Sequence, residues 1–256
     1  MLYKLQKAFY SRGALLLFFL IPFFLPVFSQ DTGYIRPPVT SKLKIYKKQI
    51  KKDSLGKMVE LKSLIPNIVY DLRYATTNNF MRRMMYPAGT NYTFLRHPAA
   101  DSLKEAQKEL NSMGLGLKIF DAYRPYSVTV EFWELVKDER YVAHPAKGSG
   151  HNRGAAVDIT IMNLVTGNEL DMGTGFDNFS DTAHHSFSKL PEEVLQNRIL
   201  LKTTMEKYGF RAYNDEWWHY SFPGAARFEI LDIGFKKLAK NYNGITRVTE
   251  SVLIAP

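Results

Sequence analysis

Two short segments, far apart in the chain, constrain its fold more than anything else in it. One reads Ser149-Gly150-His151-Asn152-Arg153-Gly154-Ala155-Ala156-Val157-Asp158, and the other Glu216-Trp217-Trp218-His219. Taken as one site they supply two imidazoles, a ligand carboxylate and a spare carboxylate. That is the inventory for a catalytic zinc with an open coordination position and a general base beside it. A fold that uses both must lay the second segment against the first. The chain has no cysteine, so disulfides and thiolate zinc sites are excluded, and any metal is held by His, Asp or Glu.

His151, Asp158 and His219 give the three protein ligands that hydrolytic zinc prefers, at distances of roughly 2.0–2.2 Å. Ala155 to Met162 reads as a strand, with Val157, Ile159 and Ile161 on one face and Ala156, Asp158 and Thr160 on the other. The small Ala156 is expected to leave room for metal and substrate. Gly150 and Gly154 let the backbone turn and bring His151 back over the strand. On a regular strand Glu216 and His219 would face opposite ways, so a turn or bulge is expected at the Trp pair. Glu216 is then free to stand off the metal and act as base on a bound water. Arg124 precedes Pro125, which biases it to extended geometry at a strand end, where a guanidinium could stabilise an oxyanion. Each piece also has a plain structural reading. Residues 149–158 fit a polar loop and strand, Glu216–His219 an aromatic core strand, and Arg124 an ion pair with Asp121. His184-His185 is read as lying outside the metal shell, because adjacent side chains point in different directions.

With 256 residues the chain can form one well-buried domain or two small ones. Residues 1–29 read as a secretory signal: Lys4, Lys7 and Arg12 precede Gly13–Phe28, an uncharged and almost wholly apolar run, with a cut expected between Ser29 and Gln30. The rival reading is an uncleaved anchor, against which Pro22, Pro26 and the run's shortness count. No stable span remains once the signal is removed. The expected location is across the inner membrane, in the periplasm. Of the net charge of +9, three charges lie in this leader and +6 remain for residues 30–256. The basic stretch Lys42–Lys52 belongs to residues 30–56, read as a linker with little fixed structure, near an anionic surface at most. No nucleic-acid module accompanies it, so no nucleic-acid partner is expected.

From residue 57 to 245 the pattern is that of one domain, with 246–256 as a tail. Val59–Leu64 and Ile68–Tyr74 read as strands, and Leu103, Ala106, Leu110 and Met113 mark a helix closed by Gly114. Leu117–Tyr123 is a strand, Val128, Phe132, Leu135 and Val136 a helix face. Pro191 opens a helix with a stripe of Val194, Leu195, Leu201 and Met205, capped by Gly209; Phe210–Phe222 is extended. Strands and helices mix without a βαβ period. The expected fold is α+β, a small antiparallel or mixed sheet flanked by helices, with the zinc site on the sheet.

The residues together resemble a known family. Ser-x-His-x-x-Gly-x-Ala-x-Asp is complete from Ser149 to Asp158, Glu-x-x-His from Glu216 to His219, and Tyr-Arg-Pro stands at Tyr123–Pro125. With Arg73-Tyr74-Ala75-Thr76, Asp171-Met172-Gly173, Phe176-Asp177 and Gln196-Asn197-Arg198, these resemble the D-alanyl-D-alanine dipeptidases of the VanX type, among the zinc D-Ala-D-Ala metallopeptidases. The resemblance implies one Zn2+ per chain on His151, Asp158 and His219, Glu216 as base and then acid, and Arg124 as carbonyl stabiliser. It also implies a closed site for a small D-amino-acid dipeptide, whose ammonium Asp177 and Tyr74 are candidates to hold and whose carboxylate Ser149 could meet. Two other readings stay open. One is a D,D- or L,D-carboxypeptidase or endopeptidase on longer peptidoglycan peptides. The other is a non-catalytic domain that binds wall fragments. The leader favours salvage of dipeptide released from peptidoglycan over interception of a cytoplasmic precursor.

Overall fold

The computed structural model describes residues 33–242; the leader 1–29 and the tail 246–256 lie outside the described residues. The chain enters through β1 (Val39–Thr40) and α1 (Leu43–Lys52), then β2 (Met58–Glu60), α2 (Leu61–Leu64) and β3 (Val69–Tyr70). There follow β4 (Phe94–Arg96), α3 (His97–Asn111), β5 (Leu115–Asp121), α4 (Tyr126–Val136) and β6 (Ala156–Asn163). After α5 (Glu192–Lys207) come β7 (Arg211–Tyr213), β8 (Glu216–Ser221) and β9 (Ile230–Leu231). Residues 235–242 are helical. The principal sheet has the order β3-β5-β6-β8-β7, with β3 parallel to β5 and the remaining pairs antiparallel. The fold is therefore α+β with a mixed sheet, as the sequence pattern suggests.

Apolar periodicity explains most of these elements. Leu103, Ala106 and Leu110 bury one face of α3, and Gly114 leaves it at φ +73°, a left-handed position that glycine takes without strain. Met113 falls in that exit turn and is half exposed, not on the helix stripe. In α4, Val128 and Phe132 are buried but Leu135 is exposed. α5 carries Glu192 and Glu193 in its first turn and Lys207 in its last, charges that suit the helix dipole. Val157, Ile159 and Ile161 of β6 join Leu117 and Ile119 of β5 in one apolar cluster with Leu201, Met205, Trp217 and Trp218.

Two expectations are corrected. Residues 34–56 are not an unstructured linker. Tyr46 is wholly buried in α1, its hydroxyl oxygen accepts from Met58 N at 2.6 Å, and Leu43 and Ile50 pack on the second apolar cluster beside it. Leu43, Tyr46 and Ile50 recur at helical spacing, a signal masked by the lysines between them. Val59–Leu64 is not one strand either. The chain leaves β2 at Glu60, whose carboxylate accepts from Ser63 N at 2.8 Å and caps the short α2.

Arg96, at the end of β4, holds separate segments together. Its side chain is fully buried. The guanidinium donates to the carbonyls of Gly56, Arg153 and Glu229 and pairs with the Glu229 carboxylate at 3.5 Å. Residue 153 belongs to the turn that carries His151, so this arginine braces the site from behind. Arg96→Met leaves three buried carbonyls and one carboxylate without their donor. It should lower the unfolding free energy by about 3–5 kcal/mol, read as a lower urea midpoint at unchanged m-value.

Candidate metal and catalytic site

The site is assembled where β5, β6 and β8 run side by side. β6 and β8 pair so that Asp158 stands opposite His219, and directly opposed residues point to the same face. Asp158 Oδ1 lies 2.9 Å from His219 Nδ1. His151 comes from a 3-10 turn, His151–Arg153, which reverses the chain just before β6. Gly154 closes that turn at φ +66°, a left-handed position that favours glycine. The turn brings His151 Nε2 to 3.3 Å from His219 Nδ1 and 3.5 Å from Asp158 Oδ1. Ala156 does not leave space for a ligand, contrary to expectation. It receives the close approach of Gly150, where an added Cβ would lie 2.8 Å from Ala156 Cβ.

These three atoms fit a metal. Ligands on a tetrahedron with bonds of about 2.0–2.1 Å stand roughly 3.3–3.4 Å apart, close to the separations observed. The donor set of two imidazoles and a carboxylate suits zinc. Both rings are held by their far nitrogens: His151 Nδ1 lies 2.7 Å from Ala122 O, and His219 Nε2 3.1 Å from Ser221 Oγ. A bond from His151 Nδ1–H to that carbonyl leaves Nε2 as the lone-pair donor. Burial alone would raise the Asp158 carboxyl, but the imidazoles beside it hold it well below the usual carboxylate range, so it is anionic.

Glu216 stands 3.8 Å from the same His219 nitrogen. The bulge expected at the Trp pair is present: β7 and β8 shift register so that Ala212 faces Tyr220 while Tyr213 faces Glu216. Trp217 and Trp218 are consecutive buried residues, and Glu216 and His219 emerge on one side of them. Burial pushes the Glu216 carboxyl up to about 7, near the neutrality at which a group can both take and return a proton.

Arg124 is buried just beyond β5. Its Nε and Nη2 donate to Asp121 Oδ2 at 3.0 and 2.8 Å, and its guanidinium lies over the Tyr74 and Phe132 rings. The ion pair with Asp121 and a place at the cavity are thus both real. Asp177 adopts φ +61°, a strained position for a residue other than glycine. Its Oδ1 accepts from the Tyr74 hydroxyl at 3.0 Å, while its buried Oδ2 has no partner. Burial first, and Asp158 second, push the Asp177 carboxyl well above its usual range. Ser149 accepts from Asn152 N through its Oγ at 3.2 Å. Tyr74, Arg124, Ser149, Asp177 and Glu216 line one cavity of about 190 Å³ with the three ligands, under Phe80, Phe132, Phe179 and Trp218.

Several residues of the site escape a sequence reading. Asn152 is fully buried and donates to Arg124 O at 2.9 Å and Thr129 Oγ1 at 2.8 Å, tying the His151 turn to α4. Tyr86 donates to Asp121 Oδ1 at 2.6 Å. The segment Glu139–Ala143 also lines the cavity. No spacing links these positions to the motifs; only the place of Asn152 inside the Ser149–Asp158 segment marks it. His184 and His185 do not line the cavity, as their adjacency suggests.

The sequence comparisons point to one family. The family model of Peptidase M15, described as D-ala-D-ala dipeptidase, matches residues 54–241. The D-alanyl-D-alanine dipeptidase of Escherichia coli is 33% identical over 174 residues, 68% of this chain and 89% of that one. That of Enterococcus faecalis is 32% identical over 178 residues, 62% of this chain and 88% of its own. A faint structural likeness, TM-score 0.35 at 16% identity, covers 54% of this chain and 76% of VanYB in complex with D-alanine-D-alanine.

Two expectations follow, one from the site and one from a histidine outside it. Ser221→Ala frees the far side of the His219 ring and should weaken zinc binding about 10–100-fold, while His219→Ala should abolish stoichiometric binding; competition against a chromophoric chelator reads both. His185 is the second case. Burial, with Lys202 and Arg198 nearby, lowers it to about 4, against about 6.5 in an unfolded chain. The unfolded state therefore takes up the proton first as pH falls. Stability should drop between about pH 6.5 and pH 4, and His185→Gln should flatten that part of a plot of urea midpoint against pH.

Proposed function

The chain belongs to the D-Ala-D-Ala dipeptidases of the Peptidase M15 family and is a metallopeptidase, and from that premise we propose that it hydrolyses the free D-Ala-D-Ala dipeptide with one zinc ion. The observation that carries this reading is the unpartnered Asp177 Oδ2 in the same small cavity as His151, Asp158 and His219. Burial holds the Asp177 carboxyl toward its neutral form, and a cation at the bare oxygen would compensate the charged form. An ammonium there lies beside the metal site, so the peptide bond acted on is the first from the amino terminus. A longer wall peptide cleaved at its carboxyl end would bring no ammonium to Asp177.

His151, Asp158 and His219 would hold the ion. When bound, zinc supplies Lewis acidity, acidifying water and polarising a carbonyl oxygen. Glu216 takes the proton from the attacking water and returns it to the departing amine. Arg124, fixed by Asp121, offers its guanidinium to the negative charge that develops on the carbonyl oxygen. Tyr74 holds Asp177 in place, and the two orient the substrate ammonium; the Ser149 hydroxyl donates to the substrate carboxylate. The leader-like residues 1–29 support export across the inner membrane into the periplasm, and with it salvage of dipeptide released by wall turnover.

Incubation of the metal-loaded protein with D-Ala-D-Ala, its N-acetyl derivative and a wall pentapeptide tests this. D-Ala should appear from the free dipeptide alone. Release from the pentapeptide would assign a carboxypeptidase, and no release from any of the three a binding domain. Glu216→Ala should lower kcat by at least about 10²–10⁴ with zinc retained. Asp177→Asn should fall mainly on KM, by roughly tenfold or more for a lost charged hydrogen bond. Near-normal turnover in the Glu216 variant would remove that residue from its role.

A further inference from the structure

We propose that the outer face of α1 docks this domain on an anionic phospholipid surface. Lys44, Lys47, Lys48 and Lys51 recur at i, i+3, i+4 and i+7 of one helix, so they form a single stripe along it. Lys42 and Lys52 flank the stripe. All six lysines are exposed, and residues 41–52 contain no acidic residue. None of the six ammonium groups makes an ion pair among the described residues. Like charges at these spacings repel, and no ion pair among the described residues offsets that.

The stripe is held outward by the opposite face. Tyr46 is wholly buried there, its hydroxyl fixed by Met58 N, and Ile50 packs beneath it. Leu43 lines a shallow groove together with Lys44, Lys47, Lys48 and Lys51. Ile45 and, one turn beyond the helix, Leu55 are exposed apolar side chains. Exposed lysines with apolar stems and nearby exposed apolar side chains suit a layer of anionic headgroups, the ammonium groups reaching the phosphates. Near an anionic leaflet each lysine strengthens attachment about fivefold.

The exposed apolar side chains beside the lysines argue for a bilayer over a soluble polyanion. A polyanion in solution would make no use of Ile45 and Leu55.

The chain has no cysteine, so Ile45→Cys carries an environment-sensitive dye at one defined place. The labelled full chain is mixed with phosphatidylglycerol vesicles and with phosphatidylcholine vesicles. A blue shift should appear with the first only, and vanish at about 1 M salt, where the screening length falls to about 3 Å. Combined K44E, K47E, K48E and K51E should abolish the shift, reducing vesicle affinity by about a hundredfold or more. An unchanged thermal midpoint of that variant shows that the fold is kept. Equal shifts on both vesicles, a shift that survives charge reversal, the same shift with polyphosphate in place of vesicles, or none at all would each overturn the proposal.

Discussion

The antiparallel pairing of β6 with β8 is the constraint on which the site rests. It sets Asp158 opposite His219 and so fixes two of three ligand atoms before any loop is placed. Side chains alternate with a period of two, so a slip of one residue would turn one of the pair into the core. Burial prevents the slip. Val157, Ile159 and Tyr220 occupy the intervening positions and are fully buried, and a shifted register would exchange them for Asp158 and His219. The apolar cluster thereby specifies the candidate metal site.

Regular strands alone would not complete the arrangement. β5 meets β6 with a register shift after Ile119, and Asp121 pairs with Asp158. The extra residue is Phe120, which turns into the core and stacks on Phe176. Without it Phe120 would face the ligands and Asp121 would not. A bulge of this kind re-aims one side chain at the cost of local pairing. Here it sends a carboxylate under Arg124, and the bulge at Trp217-Trp218 does the same for Glu216. Each strand beside the ligands is irregular at the position where a charged group has to join them.

That dependence explains what the sequence could and could not show. The helices over residues 97–111, 126–136 and 192–207, and the strand over 156–163, carry their periodicity openly. The ligands and Glu216 sit inside compact motifs, and the Glu-x-x-His spacing on a strand itself demanded a bulge. The bulge at Phe120 leaves no such mark, because Asp121 reads equally well as a strand end. Asn152 and Tyr86 act through hydrogen bonds to residues 28 and 35 positions away, which no local pattern encodes. At residues 43–52 the failure was of weighting: a count of lysines hid three apolar positions that fold the segment onto the domain. Ala156 was assigned the wrong neighbour, since a strand pattern says which face a residue takes and not what packs there.

The charges in the cavity determine what it can accept. Asp121, Asp158, Asp177 and Glu216 are gathered around the buried guanidinium of Arg124, in surroundings that penalise every unpaired charge. Asp121 has its partners. The others are left short of positive charge in two places, at the ligand trio and at Asp177 Oδ2. A divalent cation meets the first deficit and an ammonium the second. This sets the order of selectivity. Aromatic walls around a methyl group discriminate against one more methylene by roughly 10–200-fold, whereas a buried polar group left unmatched rejects a ligand by about 10⁴–10⁵. On the proposed function, the walls formed by Phe80, Phe132 and Phe179 would choose weakly among the side chains of a dipeptide, and the unsatisfied oxygen of Asp177 would choose strongly for a free amino terminus.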